Sequence, residues 1–208
     1  MLKWGLILFA TLLLVVPPVD IIRQQAPWGP GTVWAFHESL DLDQMASTNP
    51  YFRSLAIQVL GPEVGTSLAI YEIPSSPRGE RNAFASWWPL AVGLVNLADL
   101  PLPTQAIVLL HELGHIAQYQ GTRASLSNTE AEIDADAFSA RWACWLGIDI
   151  EWDRTFWMTV LTPGDWGGYK HRSGHGMWTD NYHPSPVSRV FAMERAWEAA
   201  GCSKLQAP

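Results

Sequence analysis

Basic residues are few in this 208-residue chain: 13 Lys and Arg stand against 20 Asp and Glu, for a net charge of −7. A nucleic-acid partner, which calls for a clustered basic face, is therefore not expected. Cysteine is scarcer still. Cys144 and Cys202 form neither a metal-type pair nor a disulfide framework. They are two thiols, or a single bridge in an oxidising compartment, and their spacing does not decide between the two. Internal repeats and low-complexity tracts are absent, which excludes solenoid and array architectures. What is abundant is tryptophan, at 12 residues. Such rings suit cores and interfaces with one wet edge, including work near a membrane, although aromatic core packing accounts for most of them. A chain of this length makes one domain and buries a core without staples, so a metal here would serve function rather than folding.

Residues 2–16 read LKWGLILFATLLLVV before Pro17-Pro18 stops any helix. The run falls short of the roughly 20 residues that span a bilayer, and extending it to Ile22 brings it close. No small-x-small cleavage site follows, and no Cys for a lipid anchor. Residues 1–22 are thus expected to form an uncleaved signal anchor, with a cleaved signal peptide and a buried helix as the alternatives. Lys3 would stay in the cytoplasm and the remaining domain would lie outside it, or be secreted or periplasmic after cleavage. Residues 23–31 form a Pro/Gly-punctuated linker, and 32–208 the domain proper.

Within the domain, residues 41–59 suggest one or two helices interrupted at Asn49-Pro50. Residues 67–73 alternate like a strand. Residues 83–95 give strand-like pieces that Pro89 forces to an edge or a break. Pro101-Leu102-Pro103 then blocks upstream helix. Thr104 is the expected N-cap of a helix that Gly121 ends. Ser127-Asn128-Thr129-Glu130 has the form of a capping box opening a second helix, closed by Gly147. Residues 162–186 read as a long functional loop, and 186–200 as a last short helix.

The first of these helices carries His111-Glu112-Leu113-Gly114-His115. Four residues apart, the two imidazoles leave one helix face a turn apart, as two ligands of a tetrahedral zinc require. Glu112 can reach a metal-bound water without binding the metal. The metal lowers that water's pKa toward about 7, and the carboxylate takes its proton as it attacks a carbonyl. Gly114 adds to the pattern, because a helix interior avoids Gly unless close packing demands it. A third ligand is sought on the acidic second helix. Glu130 is occupied by the capping box, which leaves Glu132, with Asp136 a turn below to accept a ligand imidazole's second N–H. Glu130 with Asp134 has the same spacing and is the alternative. An acidic helix start favoured by the dipole accounts for Glu130 but poorly for Asp136. His171 and His175 share the four-residue spacing in a stretch unsuited to helix, and His37 reads as structural.

Three separated segments resemble the gluzincin peptidases of the CAAX prenyl protease and heat-shock membrane protease type. Asn82-Ala83-Phe84-Ala85 is similar to that family's N-A-F-A strand. HELGH followed by Glu132-Ile133-Asp134-Ala135-Asp136-Ala137-Phe138 is similar to its helix pair. His183-Pro184-Ser185-Pro186-Val187-Ser188-Arg189 is close to its H-P-x-P-x-x-R segment. The likeness spans roughly residues 69–197. It implies His111, His115 and Glu132 as ligands of one Zn2+ per chain, Glu112 as general base and Asp136 behind a ligand histidine. It also implies a substrate strand added along Asn82 to Ala85, His183 as donor to the oxyanion, and Arg189 paired with an acidic residue near the site. The chain departs from the multi-span members in having at most one membrane segment, so prenylated-protein processing does not carry over. Ser86-Trp87-Trp88-Pro89 replaces the Gly-containing stretch expected after the strand.

The sequence therefore leads to an α+β, zincin-like metallopeptidase domain: a small mixed sheet, an active-site helix and a glutamate helix. The expected activity is zinc endopeptidase action on protein or peptide substrates at or outside the membrane. Two alternatives stand beside it: a non-catalytic, membrane-anchored metal-binding module, and a zinc amidase acting on a non-peptide or cell-wall substrate.

Overall fold

Asn49 opens the first helix by accepting the Tyr51 N–H at 3.0 Å, with a proline in the first turn where no N–H is needed. This is helix α1 (Pro50–Leu60), and the Asn49-Pro50 break is its start. The computed structural model describes residues 45–74, 82–87, 89–121, 126–148 and 184–203, all within one compact unit, Asp41–Pro208. The expected anchor and linker, His37, His171, His175 and His183 lie outside the described residues. Among the described residues no helix is long and apolar enough to cross a membrane.

A short helix, α2 (Pro62–Ser67), follows. The Arg53 guanidinium of α1 donates to the carbonyls of Gly65, at 2.8 Å, and Leu68, holding the end of α2. Because α2 takes up Ser67, strand β1 (Ala69–Ile73) begins two residues later than the alternating pattern suggested. Strands β2 (Asn82–Trp87) and β3 (Leu90–Val95) are separated by the turn that contains Pro89. The sheet order is β1-β3-β2, with β1 parallel and β2 antiparallel to β3. The class is therefore α+β with a small mixed sheet. Phe84 pairs with Gly93, and its ring occupies the space where a Cβ on Gly93 would stand, 2.2 Å away.

Helix α3 (Leu102–Gln120) carries the H-E-x-x-H motif and contacts α1, β2 and β3. It is buried nearly all round, as expected of a central helix. It begins at Leu102, with Pro101 as its N-cap, rather than at the expected Thr104. The prolines that read as a stop sit where the first turn's N–H groups would be orphans anyway. Gly121 ends the helix as expected. Leu109, Leu110, Leu113 and Ile116 are fully buried against Phe52 of α1 and Val92 and Leu94 of β3. At about 1.5–3 kcal/mol each, these four side chains alone contribute an amount comparable to a domain's net stability.

Helix α4 (Asn128–Trp145) starts with the anticipated capping box: Ser127 accepts the Glu130 N–H, and the Glu130 carboxylate accepts the Ser127 N–H at 2.9 Å. It stops at Gly147, whose φ of 62° lets Ile148 N–H reach back to the Ala143 carbonyl at 2.9 Å. Helix α5 (Pro186–Ala199) packs on α4. It ends the same way, with Gly201 at φ 90° and Cys202 N–H donating to the Trp197 carbonyl at 3.2 Å. These two turns bring Cys144 and Cys202 to a Cα separation of 6.0 Å, and the two are joined in a disulfide. Of the two states the sequence allowed for them, this is the bridged one.

Candidate metal centre

Gly114 fixes how closely α3 and α4 approach. A Cβ there would lie 3.1 Å from the Ala135 Cα and 3.3 Å from the Phe138 ring. Around that contact the spacing is matched on the two helices. His111 and His115 stand three residues before and one after Gly114; Glu132 and Asp136 stand three before and one after Ala135. A single close contact therefore sets all four functional side chains against one another. Glu132, Asp136 and His115 are 1, 2 and 3 % exposed.

The two imidazole Nε2 atoms are 3.1 Å apart. The His111 Nε2 lies 3.3 Å from one Glu132 oxygen and the His115 Nε2 3.3 Å from the other. Ligand atoms about 2.0–2.1 Å from a tetrahedral zinc stand roughly 3.3–3.4 Å from each other. The imidazole pair is slightly inside that edge, the Glu132 carboxylate spans the two rings with one oxygen toward each, and one ligand atom from each of the three residues lies within 4.8 Å of the others.

The surrounding groups determine which atoms face the centre. His111 Nδ1 lies 2.9 Å from Asp136 Oδ1, somewhat off the N–H axis. A carboxylate can only accept, so the proton of that contact is on Nδ1 and Nε2 is the atom turned inward. Behind His115, Nδ1 is 3.0 Å from the Gln118 amide oxygen. Asp136 is held in turn by a two-pronged fork from Arg189, Nε at 2.8 Å and Nη2 at 2.9 Å. Arg189 Nη2 also lies 3.5 Å from Glu132.

Electron-rich atoms thus converge on one point, where positive charge is favoured. Burial pulls the His111 pKa down, but hydrogen bonds to Asp136 and Glu132 outweigh it and raise the value to about 10. A proton on that imidazole is what a cation would displace. Burial pushes Glu132 up, yet both histidines hold it well below the ordinary carboxylate range. Asp136 is lowered too: burial opposes its charge, and Arg189 and His111 more than compensate. Glu112, 6 % exposed, is raised by burial, with His111 and His115 opposing. The donor types, two imidazoles and a carboxylate, are those that zinc takes, and they lie close enough together to hold a metal ion.

Of the residues singled out in the sequence, His111, His115, Glu132 and Asp136 come together, with Glu112 in the same buried charge cluster. The alternative pair does not take part in the triad. Glu130 is exposed in the capping box, and Asp134 accepts from the Gln118 amide at 3.0 Å. Asn82, Ala83, Phe84 and Ala85 form β2, which packs against α3. Arg189 pairs with an acidic residue of the cluster. Gln118 was not foreseen. The only trace it leaves in the sequence is its position three residues beyond His115, on the same helix face. Family models, curated proteins and solved structures yielded no match to the chain.

Proposed function

We propose that this chain is a zinc-dependent endopeptidase of the gluzincin type, with one zinc per chain held by His111, His115 and Glu132. The observation that carries the reading is the convergence of two imidazole nitrogens and a carboxylate within 4.8 Å of one another, with Glu112 next to the first ligand on the same helix. Bound there, zinc supplies a Lewis acid that polarises a carbonyl and acidifies water. Glu112 takes the proton of the attacking water and passes it to the departing amine. Asp136, gripped by Arg189, keeps the His111 ring in place. In this reading the fold is zincin-like, with α3 as the active-site helix and α4 as the glutamate helix. An extended protein or peptide substrate lies along β2, and His183 donates to the oxyanion.

The disulfide supports a site of action outside the cytoplasm, because such bonds persist mainly in oxidising compartments. Residues 1–22 would then anchor the domain to the membrane or be removed on export.

The test is zinc content and casein hydrolysis of the full chain, beside Glu112→Gln. The reading expects close to one zinc in both proteins and a loss of hydrolysis of about 10²–10⁴-fold in the variant. Full activity in Glu112→Gln overturns the mechanism. Zinc without peptide hydrolysis points to a binding module, and cleavage of muropeptide amides in preference to casein points to the amidase.

A further inference from the structure

The Gln118 amide can be oriented in only one way. Its Nε2 lies 2.9 Å from the Ala131 backbone carbonyl and 3.0 Å from an Asp134 carboxylate oxygen. Both of these atoms only accept hydrogen bonds, so the NH₂ must face them. The amide oxygen is then the atom 3.0 Å from His115 Nδ1. An amide oxygen only accepts, so His115 carries a proton on Nδ1, and Nε2 is the ring atom that faces Glu132. A backbone carbonyl of α4 thereby dictates the tautomer of a side chain on α3. That carbonyl belongs to Ala131, the neighbour of Glu132 in sequence.

We infer that Gln118 is the positioning residue of His115: its amide, anchored to α4 through Ala131 and Asp134, holds the imidazole in the Nδ1–H form and at a fixed distance from Glu132. The inference rests on the reading of His111, His115 and Glu132 as a metal site. It gives the two histidines unequal support. His111 is backed by a carboxylate that is itself neutralised by Arg189, and His115 by a neutral amide. Gln118 is 6 % exposed, so water does not readily replace it.

The test uses the full chain with zinc, and with cobalt(II) as a paramagnetic probe, in wild type, Gln118→Leu, Gln118→Glu and the double variant Gln118→Glu/Asp134→Asn. Gln118→Leu keeps the volume and removes all three hydrogen bonds. Its zinc affinity is expected to fall by about 10–100-fold, the range for losing a group that supports a ligand, with unchanged helical content. Gln118→Glu alone sets a carboxylate against Asp134 and the Ala131 carbonyl, and is expected to bind zinc as poorly. In the double variant the amide introduced at position 134 donates to the carboxylate introduced at position 118. That carboxylate again accepts from His115 but still faces the Ala131 carbonyl, so affinity recovers in part. In the cobalt form, wild type is expected to show a shifted, slowly exchanging Nδ1–H proton for each ligand histidine. Gln118→Leu is expected to retain the His111 signal and lose that of His115, which simple loosening of α3 from α4 would not do selectively. The inference is overturned if Gln118→Leu binds zinc like wild type and keeps both proton signals, or if the double variant folds but binds zinc no better than Gln118→Glu. Failure of wild type to bind zinc would instead overturn the metal-site reading beneath it.

Discussion

Replacing Gly114 by alanine adds one methyl group at the point where α3 and α4 touch. The new Cβ would stand 3.1 Å from the Ala135 Cα and 3.3 Å from its Cβ. One of these neighbours is backbone, so the contact is relieved only if the helices part by a few tenths of an ångström. Zinc–ligand distances tolerate about ±0.2 Å. A parting of this size would carry Glu132 out of the span that His111 and His115 set, while the hydrophobic core still closes. Alanine also favours a helix interior over glycine by about 0.8–1.0 kcal/mol, which offsets much of the packing strain. The expected result is therefore a divergence between two measurements. Urea unfolding with chelator present should change by no more than about 1 kcal/mol. Zinc affinity, from competition with a chromophoric chelator, should fall on the order of tenfold, and further in Gly114→Val. If Gly114→Ala binds zinc as tightly as wild type, the close helix approach does not set the ligand geometry. If it unfolds without metal, the glycine serves the fold instead.

Other perturbations address separate links. Arg189→Met leaves Asp136 buried without its fork and should cost about 3–5 kcal/mol, measured by denaturant unfolding; Arg189→Lys should recover only part of that, since a single ammonium cannot make the two-pronged contact. Reducing the Cys144–Cys202 bridge, which closes a 58-residue separation, should lower unfolding stability by about 4 kcal/mol on the chain-entropy view; an unchanged urea midpoint under reductant would contradict this. Ser127→Ala should cost about 1 kcal/mol without altering zinc affinity, because the capping box is separate from the triad. Glu130 is held below its ordinary value of 4.5 by the Ser127 N–H and hydroxyl. The stability it lends is complete above that pH and lost as pH falls through its lowered value, so Ser127→Ala should flatten this part of an acid titration.

Local rules made the core of the site legible. A four-residue spacing and recognisable helix ends were enough to put His111 and His115 on one face, and the Ser127 box was enough to choose Glu132 over Glu130. Gly114 was recognisable as a packing glycine, though not the residue it packs on. What the sequence concealed is non-local or ambiguous. The prolines before Thr104 are equally compatible with a stop and with a first turn, and they form a first turn. Helix α2 is only six residues long and carries too few apolar positions to show a period. Gln118 acts through a backbone carbonyl 13 residues on, and a carbonyl has no residue type to recognise. The bridge between Cys144 and Cys202 depends on two helix ends coinciding in space. Each end is marked by a glycine, Gly147 or Gly201, but nothing in either segment refers to the other.

That bridge also determines how a cut chain would behave. Glu132 and Asp136 precede Cys144 in sequence, whereas Arg189 lies between the two cysteines, inside the covalent ring that the bond completes. A peptide bond hydrolysed anywhere from 149 to 183 would not separate the fragments. The nicked protein would migrate as a single species until reduced and differ in mass by one water. The arginine would still be tethered to the helix whose aspartate it grips. Intact size on a non-reducing gel is accordingly no measure of an unbroken chain, and preparations compared for activity need to be examined after reduction.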